Sequence, residues 1–183
     1  ESLYRFIGPP LHESYEKFYS FSREQAMQAV SYYREYYEEK GMFENEVYPG
    51  IKQLLRDLIK QGVLCLVATS KPEIYAKKIL DYYELSNYFY YIAGANMDGT
   101  RTDKAEVIAY ALKQIPAEYS NKKVLMVGDR SHDIIGAKKN GIDCAGVLFG
   151  YGSREELEEA GADFIADSVE AVRNIVFLNV AKN

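Results

Sequence analysis

Residues 124–137, VLMVGDRSHDIIGA, run from an uninterrupted apolar segment through a glycine to two aspartates four positions apart, and on into a helix-forming stretch. A short run without polar alternation, stopped by Gly128, reads as a strand buried on both faces. The strand is predicted at 123–128 and its helix at 131–140. Asp129 and Asp133 then fall where the one passes into the other. Outward from this unit the same pattern repeats. Strands are predicted at 63–68, 90–93, 142–148 and, with weaker patterning, 163–166; helices are predicted at 72–83, 103–113, 153–160 and from 168 onward. A further helix precedes the first strand, with Ile51, Leu54, Leu55, Leu58 and Ile59 on one face and Gly62 as its stop. Strict alternation of helices with continuously apolar strands implies an α/β fold, a doubly wound, mostly parallel sheet of Rossmann-like form with helices on both faces.

Residues 1–45 are different in kind. They read as helix only, at 11–19 and then from a capping box at Ser22 and Gln25 to about residue 40, where Gly41 ends it. A small helical part (1–45) is therefore expected beside an α/β core (46–183). The 183 residues are 48% hydrophobic and 27% charged, ordinary for a globular protein and enough for a sizeable core. A net charge of -5 and no Lys/Arg cluster argue against nucleic acid as a partner. No apolar stretch approaches the roughly 20 residues of a membrane span, and no signal peptide is recognisable at the start. A soluble, cytoplasmic protein is the expectation. Cys65 and Cys144 each sit in an apolar run without metal-ligand spacing and read as core residues rather than a disulfide or metal site. The 17 tyrosines, with no tryptophan, read as amphipathic packing residues whose surfaces suit either a monomer or a homodimer.

In a doubly wound fold ligands sit beyond the carboxyl ends of the strands. Three such ends carry chemistry. After the first strand comes Thr69-Ser70-Lys71-Pro72, a hydroxyl at a helix start, which suits a phosphate and equally suits a simple helix cap. In 102–106, TDKAE, Asp103 and Glu106 look like a capping box that puts Lys104 in the first helical turn. A cation there opposes the helix dipole. A bound phosphate would offset that, although a solvated lysine is the commoner fate. Asp129 and Asp133 offer hard oxygen ligands to a divalent cation, or read as a turn residue and a helix cap. His12 and His132 are too isolated to argue metal binding.

Taken in order, VLCLVATSKP (63–72), TDKAEVI (102–108) and VLMVGDRSHDIIGA (124–137) resemble the second, third and fourth motifs of the haloacid dehalogenase superfamily. The chain looks most like the phosphoglycolate phosphatase branch, with residues 1 to about 45, including Gly8 and Arg34, similar to the second half of that branch's helical cap. The resemblance implies a phosphatase acting on a small phosphorylated metabolite through an aspartyl-phosphate. In it Thr69 and the N–H of Ser70 hold phosphoryl oxygens, and Lys104 balances the charge of nucleophile and phosphate. Asp129 binds Mg2+ directly, and Asp133 orders its waters or shares ligation. Gly8 and Arg34 belong to the substrate-reading part.

The superfamily's first motif, a strand ending Asp-x-Asp-Gly-Thr, is not found. Its look-alike, Asn96-Met97-Asp98-Gly99-Thr100, follows the second motif and has an amide where the nucleophile belongs, so it is assigned to a loop. The missing strand is expected upstream of Glu1, at the centre of the sheet. A phosphomutase of the same superfamily and a non-catalytic binding protein on this scaffold are the alternatives to a phosphatase.

Overall fold

The apolar runs fold as parallel strands covered by helices, paired among the described residues as two sheets. A computed structural model describes Phe6 and residues 10–179. It divides into two compact units, Glu1–Glu46 and Val47–Asn183. In the smaller unit α1 (Leu11–Tyr19) packs on α2 (Arg23–Glu39). The capping box at the start of α2 is formed: Ser22 Oγ accepts from the Gln25 N–H at 3.2 Å, and Gln25 Oε1 accepts from the Ser22 N–H at 2.9 Å. Phe6, Tyr15, Phe18, Tyr19 and Phe21 make an aromatic cluster in this unit, with Tyr15 and Phe21 stacked at 6.0 Å.

The larger unit opens with α3 (Ile51–Lys60) and then alternates: β1 (Leu66–Pro72), α4 (Glu73–Tyr82), β2 (Tyr91–Ala95), α5 (Lys104–Leu112), β3 (Leu125–Gly128), α6 (Ser131–Lys139), β4 (Asp143–Val147), α7 (Arg154–Glu159), β5 (Phe164–Ala166) and α8 (Val169–Asn179). Strands β1 and β2 pair in one sheet, and β3, β4 and β5 pair in that order in a second, all parallel. Both faces of the second sheet are covered. On one, Leu54 and Leu58 of α3 meet Val147, Ala166, Val172 and Val176; on the other, Ile134 and Ala137 of α6 meet Cys144 and Leu157. Helix α5 covers the first sheet with Val107 and Ala111 against Ala93. Cys65 and Cys144 are both free thiols in apolar surroundings, and burial pushes the Cys65 thiol up to about 11.

The strands differ in depth in an informative way. β2 and β4 reach full burial, whereas every residue of β1 is only half-buried and Val127 of β3 is 38% exposed. β1 and β3 each have one edge that no described strand fills, as β2 and β5 do at the other ends of the two sheets. The start of β1 also differs from expectation. It begins at Leu66, not residue 63, and continues through Thr69 to Pro72. No helix among the described residues is long and apolar enough to cross a membrane.

Candidate active site

Asp133 is the buried carboxylate of the site. It is 6% exposed, and both its carboxylate oxygens are engaged. Oδ2 accepts from the backbone N–H groups of Asp129 and Arg130, each at 3.1 Å, which closes the turn between β3 and α6. Oδ1 faces the Lys104 ammonium at 2.9 Å, with both side chains largely buried. The same ammonium donates to the Ala68 carbonyl at 3.2 Å. Lys104 thus joins the carboxyl end of β1 to the turn after β3, bridging two sheets that do not pair. Its placement at the start of α5 opposes the helix dipole. Asp133 supplies a negative charge that offsets this, so Lys104 is not the solvated lysine that is the commoner fate, and Asp103 caps the helix beside it by accepting from the Ala105 and Glu106 N–H groups. Gly128 is required here, since a Cβ would collide with the Asp133 side chain.

Asp129 is held differently. Among the described residues its carboxylate has one hydrogen-bond partner, the Tyr151 N–H at 2.9 Å from Oδ2. The loop that brings this donor, Gly150-Tyr151-Gly152, needs both glycines, because a Cβ at Gly150 would meet the Asp129 side chain and one at Gly152 the Asp129 carbonyl. Glu156 of α7 fastens the turn from the other side. Its Oε1 accepts from the Ser131 N–H at 2.8 Å and from Arg130 Nε at 2.9 Å. Burial pushes this carboxyl up, but the hydrogen bonds from Ser131 and Arg130 outweigh it and hold it below the usual glutamate range. A carboxylate lowered on folding stabilises the fold above its unfolded pKa of about 4.3, and that contribution disappears as pH falls through the lower folded value. Glu156→Gln is therefore expected to cost about 1–2 kcal/mol near neutral pH. Urea unfolding over a pH series will show the difference from wild type shrinking as pH drops below about 4.

Thr69 lies in an irregularity of β1. Ala68 pairs with Ala93 and Pro72 with Ala95, so Thr69, Ser70 and Lys71 together face only Gly94 of β2. The backbone bulges as a result. Thr69 Oγ1 accepts from the Lys71 N–H at 3.2 Å. Gly94 is what lets the bulge close, since a Cβ there would stand 2.5 Å from Glu73 Cα and 2.7 Å from the Lys71 carbonyl. Burial pushes the Lys71 ammonium below the usual lysine range.

Lys104, Asp133 and the turn bearing Asp129 are thus brought together directly, and Lys104 reaches the backbone next to Thr69. Ser70 sits in the same bulge. Arg34 lies half-buried on α2 in the smaller unit. Gly8 lies outside the described residues. Asp98 is in an exposed loop after β2, its Oδ1 accepting from the N–H and hydroxyl of Thr100 at 2.9 and 2.7 Å. These bonds, the hydroxyl's first, hold its carboxyl below the usual range. Gly150 and Tyr151 lie in a stretch (150–164) whose resemblance is to the end of the family's core domain, without a site role, and Glu156 carries no sequence signal, because all three act from a loop and a helix downstream of the aspartates they hold.

The family model for haloacid dehalogenase-like hydrolases matches residues 1–147. The chain belongs to that family. It is 39% identical over 176 residues to a 5'-nucleotidase from Pseudomonas aeruginosa, a match spanning 95% of this chain and 78% of that one. It is 38% identical over 159 residues to a Mycobacterium tuberculosis protein named tyrosine-protein kinase PtkA, covering 87% of this chain but only 53% of the relative, so it spans about half the length of that protein. Among solved structures, a predicted phosphatase from Clostridium acetobutylicum superposes with a TM-score of 0.88 at 44% identity, over 97% of this chain and 81% of the other.

Proposed function

We propose that this haloacid dehalogenase-like hydrolase is a magnesium-dependent phosphatase that hydrolyses a small phosphate monoester through an aspartyl-phosphate. The observation that carries the proposal is the buried Lys104 ammonium, fixed between the Ala68 carbonyl and Asp133 beside Thr69. A cation locked in place in a half-dry site, next to the Thr69 hydroxyl and the backbone of the β1 bulge, is preorganised for the charge of a transferring phosphoryl group. Thr69 Oγ1 and the Ser70 N–H would hold its oxygens. A carboxylate nucleophile would displace the alcohol from phosphorus, and water would then cleave the acyl-phosphate, returning the carboxylate and releasing inorganic phosphate. We assign that nucleophile to a further strand seated between β1 and β3. The unfilled edges and incomplete burial of those two strands support the assignment.

The donors fit magnesium. Asp129 is a hard carboxylate with one partner, whereas both oxygens of Asp133 are already taken by the protein. Magnesium needs only one or two protein carboxylates and keeps much of its water. Asp129 would hold the ion, and Asp133 would act on it through the turn and through Lys104. When bound, the ion supplies charge neutralisation at the phosphoryl oxygens. Arg34 and Gly8 are proposed to contribute to reading the rest of the substrate. The Pseudomonas relative's name favours a nucleoside 5'-monophosphate, with phosphoglycolate and sugar phosphates next to be tried.

The protein expressed from its whole reading frame should release inorganic phosphate from members of such a panel. Magnesium removal by EDTA should stop release, and added magnesium should restore it. Turnover that survives EDTA, or isomerised sugar phosphate with little free phosphate, would overturn the proposal.

A further inference from the structure

A second cation, outside the motifs, lies close to the same site. Arg101 is in the loop between β2 and α5, three positions before Lys104, and its side chain is only 18% exposed. Its φ is +50°, a left-handed conformation that a residue with a Cβ seldom adopts, so its surroundings must hold it there. They do so from three elements. Nε donates to the Gly94 carbonyl in β2 at 2.8 Å, and Nη2 meets Glu73 Oε2 at 3.2 Å. The guanidinium lies 3.8 Å from the ring centroid of Tyr110 on α5. Two of these three contacts are themselves braced: Glu73 Oε2 also accepts from the Gly94 N–H at 3.2 Å, and the Tyr110 hydroxyl is 2.8 Å from that of Tyr91.

We infer that Arg101 is a positioning residue that sets the distance between Thr69 and Lys104; the inference rests on the phosphatase reading above. Glu73 is the first residue of α4, directly after the bulge that carries Thr69, and Gly94 is the residue the bulge closes on. Tyr110 is on the helix that begins with Lys104. A planar guanidinium that bonds the bulge junction in its plane and stacks on α5 through its face ties one phosphate-holding element to the other. A lysine has the charge but neither the fork nor the flat face, so it restores the ion pair and not the tie.

The test uses the protein from its whole reading frame, with its best monoester substrate and with inorganic phosphate as inhibitor. Arg101→Ala is expected to lower kcat by about 10- to 100-fold, because ångström-scale displacement of a positioned group has effects of that size. KM should change by less than about threefold. Arg101→Lys should recover thermal stability but less than half of the lost kcat on a logarithmic scale. Independently of turnover, backbone NMR of Arg101→Ala should show shifts at Thr69 to Lys71 and at Lys104 to Glu106 together. Unchanged kcat well below the melting temperature, or shifts confined to residues 96–103, would overturn the inference. Should Arg101→Ala fail to fold, the same two readouts on Arg101→Lys decide it. A wild-type protein without phosphatase activity sinks the functional reading alone, and the NMR result still judges the coupling.

Discussion

Lys104→Ala will lose turnover by about 100-fold or more and will melt earlier than the wild type. The two losses have separate causes. The ammonium is a preorganised charge beside Thr69, and removing one such group from a site built for phosphoryl transfer typically costs two or three orders of magnitude. The stability loss arises at Asp133, which is 6% exposed and keeps its two backbone donors but loses its counter-ion. Leaving one partner of a buried pair alone costs about 3–5 kcal/mol. The surviving N–H donors put the expectation near about 3 kcal/mol, a fall of roughly 6–12 °C in Tm for a chain of this size. Lys104→Met, which fills the space, separates packing from charge. Asp133→Asn in the Lys104→Met background should be less damaging than either change predicts alone, with a coupling of about 1–3 kcal/mol in a double-mutant cycle followed by urea unfolding. Full turnover by Lys104→Ala would remove the central observation on which the phosphatase proposal stands.

How far such a pair can be read from sequence is instructive. The alternation of helices and apolar strands was legible because period and punctuation are local properties, and each strand was placed within a few residues. The sites at strand ends were legible as an ordered set, since a doubly wound fold delivers successive strand ends to one side. The partner of Lys104 was not. The lysine's awkward place at a helix start calls for a nearby negative charge or for solvation, and does not say which; the structure supplies Asp133, 29 positions downstream, which no periodicity connects to it. The bulge at 69–71 was hidden for a similar reason, because it depends on Gly94 admitting the Lys71 carbonyl and the Glu73 backbone at close range. Arg101 belongs to no motif, and only its three contacts in other elements mark it. The edge that separates β1–β2 from β3–β4–β5 lies where the sequence motifs leave the central, nucleophile-bearing strand unaccounted for.

The division of labour between the two aspartates leads to the second large effect. Asp133 is saturated by protein donors, so its replacement should act on the fold first. Asp129 has the Tyr151 N–H alone among the described residues, so its replacement should act on the metal first. Asp129→Asn keeps an oxygen that accepts from Tyr151, and the variant should remain folded, with magnesium-free stability close to the wild type. Its affinity for magnesium should fall by more than about 100-fold, since even outer-sphere partners of a metal ligand contribute 10- to 100-fold. Turnover should fall at least as far. The readout that does not depend on catalysis is thermal: a ligand at about 100 times its Kd stabilises by about 2.7 kcal/mol, so the wild-type Tm should climb with added magnesium while that of Asp129→Asn stays level. The reverse assignment, in which Asp133→Asn abolishes the magnesium-linked rise and Asp129→Asn retains it, would mean that the ion breaks the Lys104 pair on binding. That outcome is opposed by the geometry, because it would take the largely buried ammonium from the carboxylate it meets at 2.9 Å and leave it the Ala68 carbonyl as its one partner among the described residues.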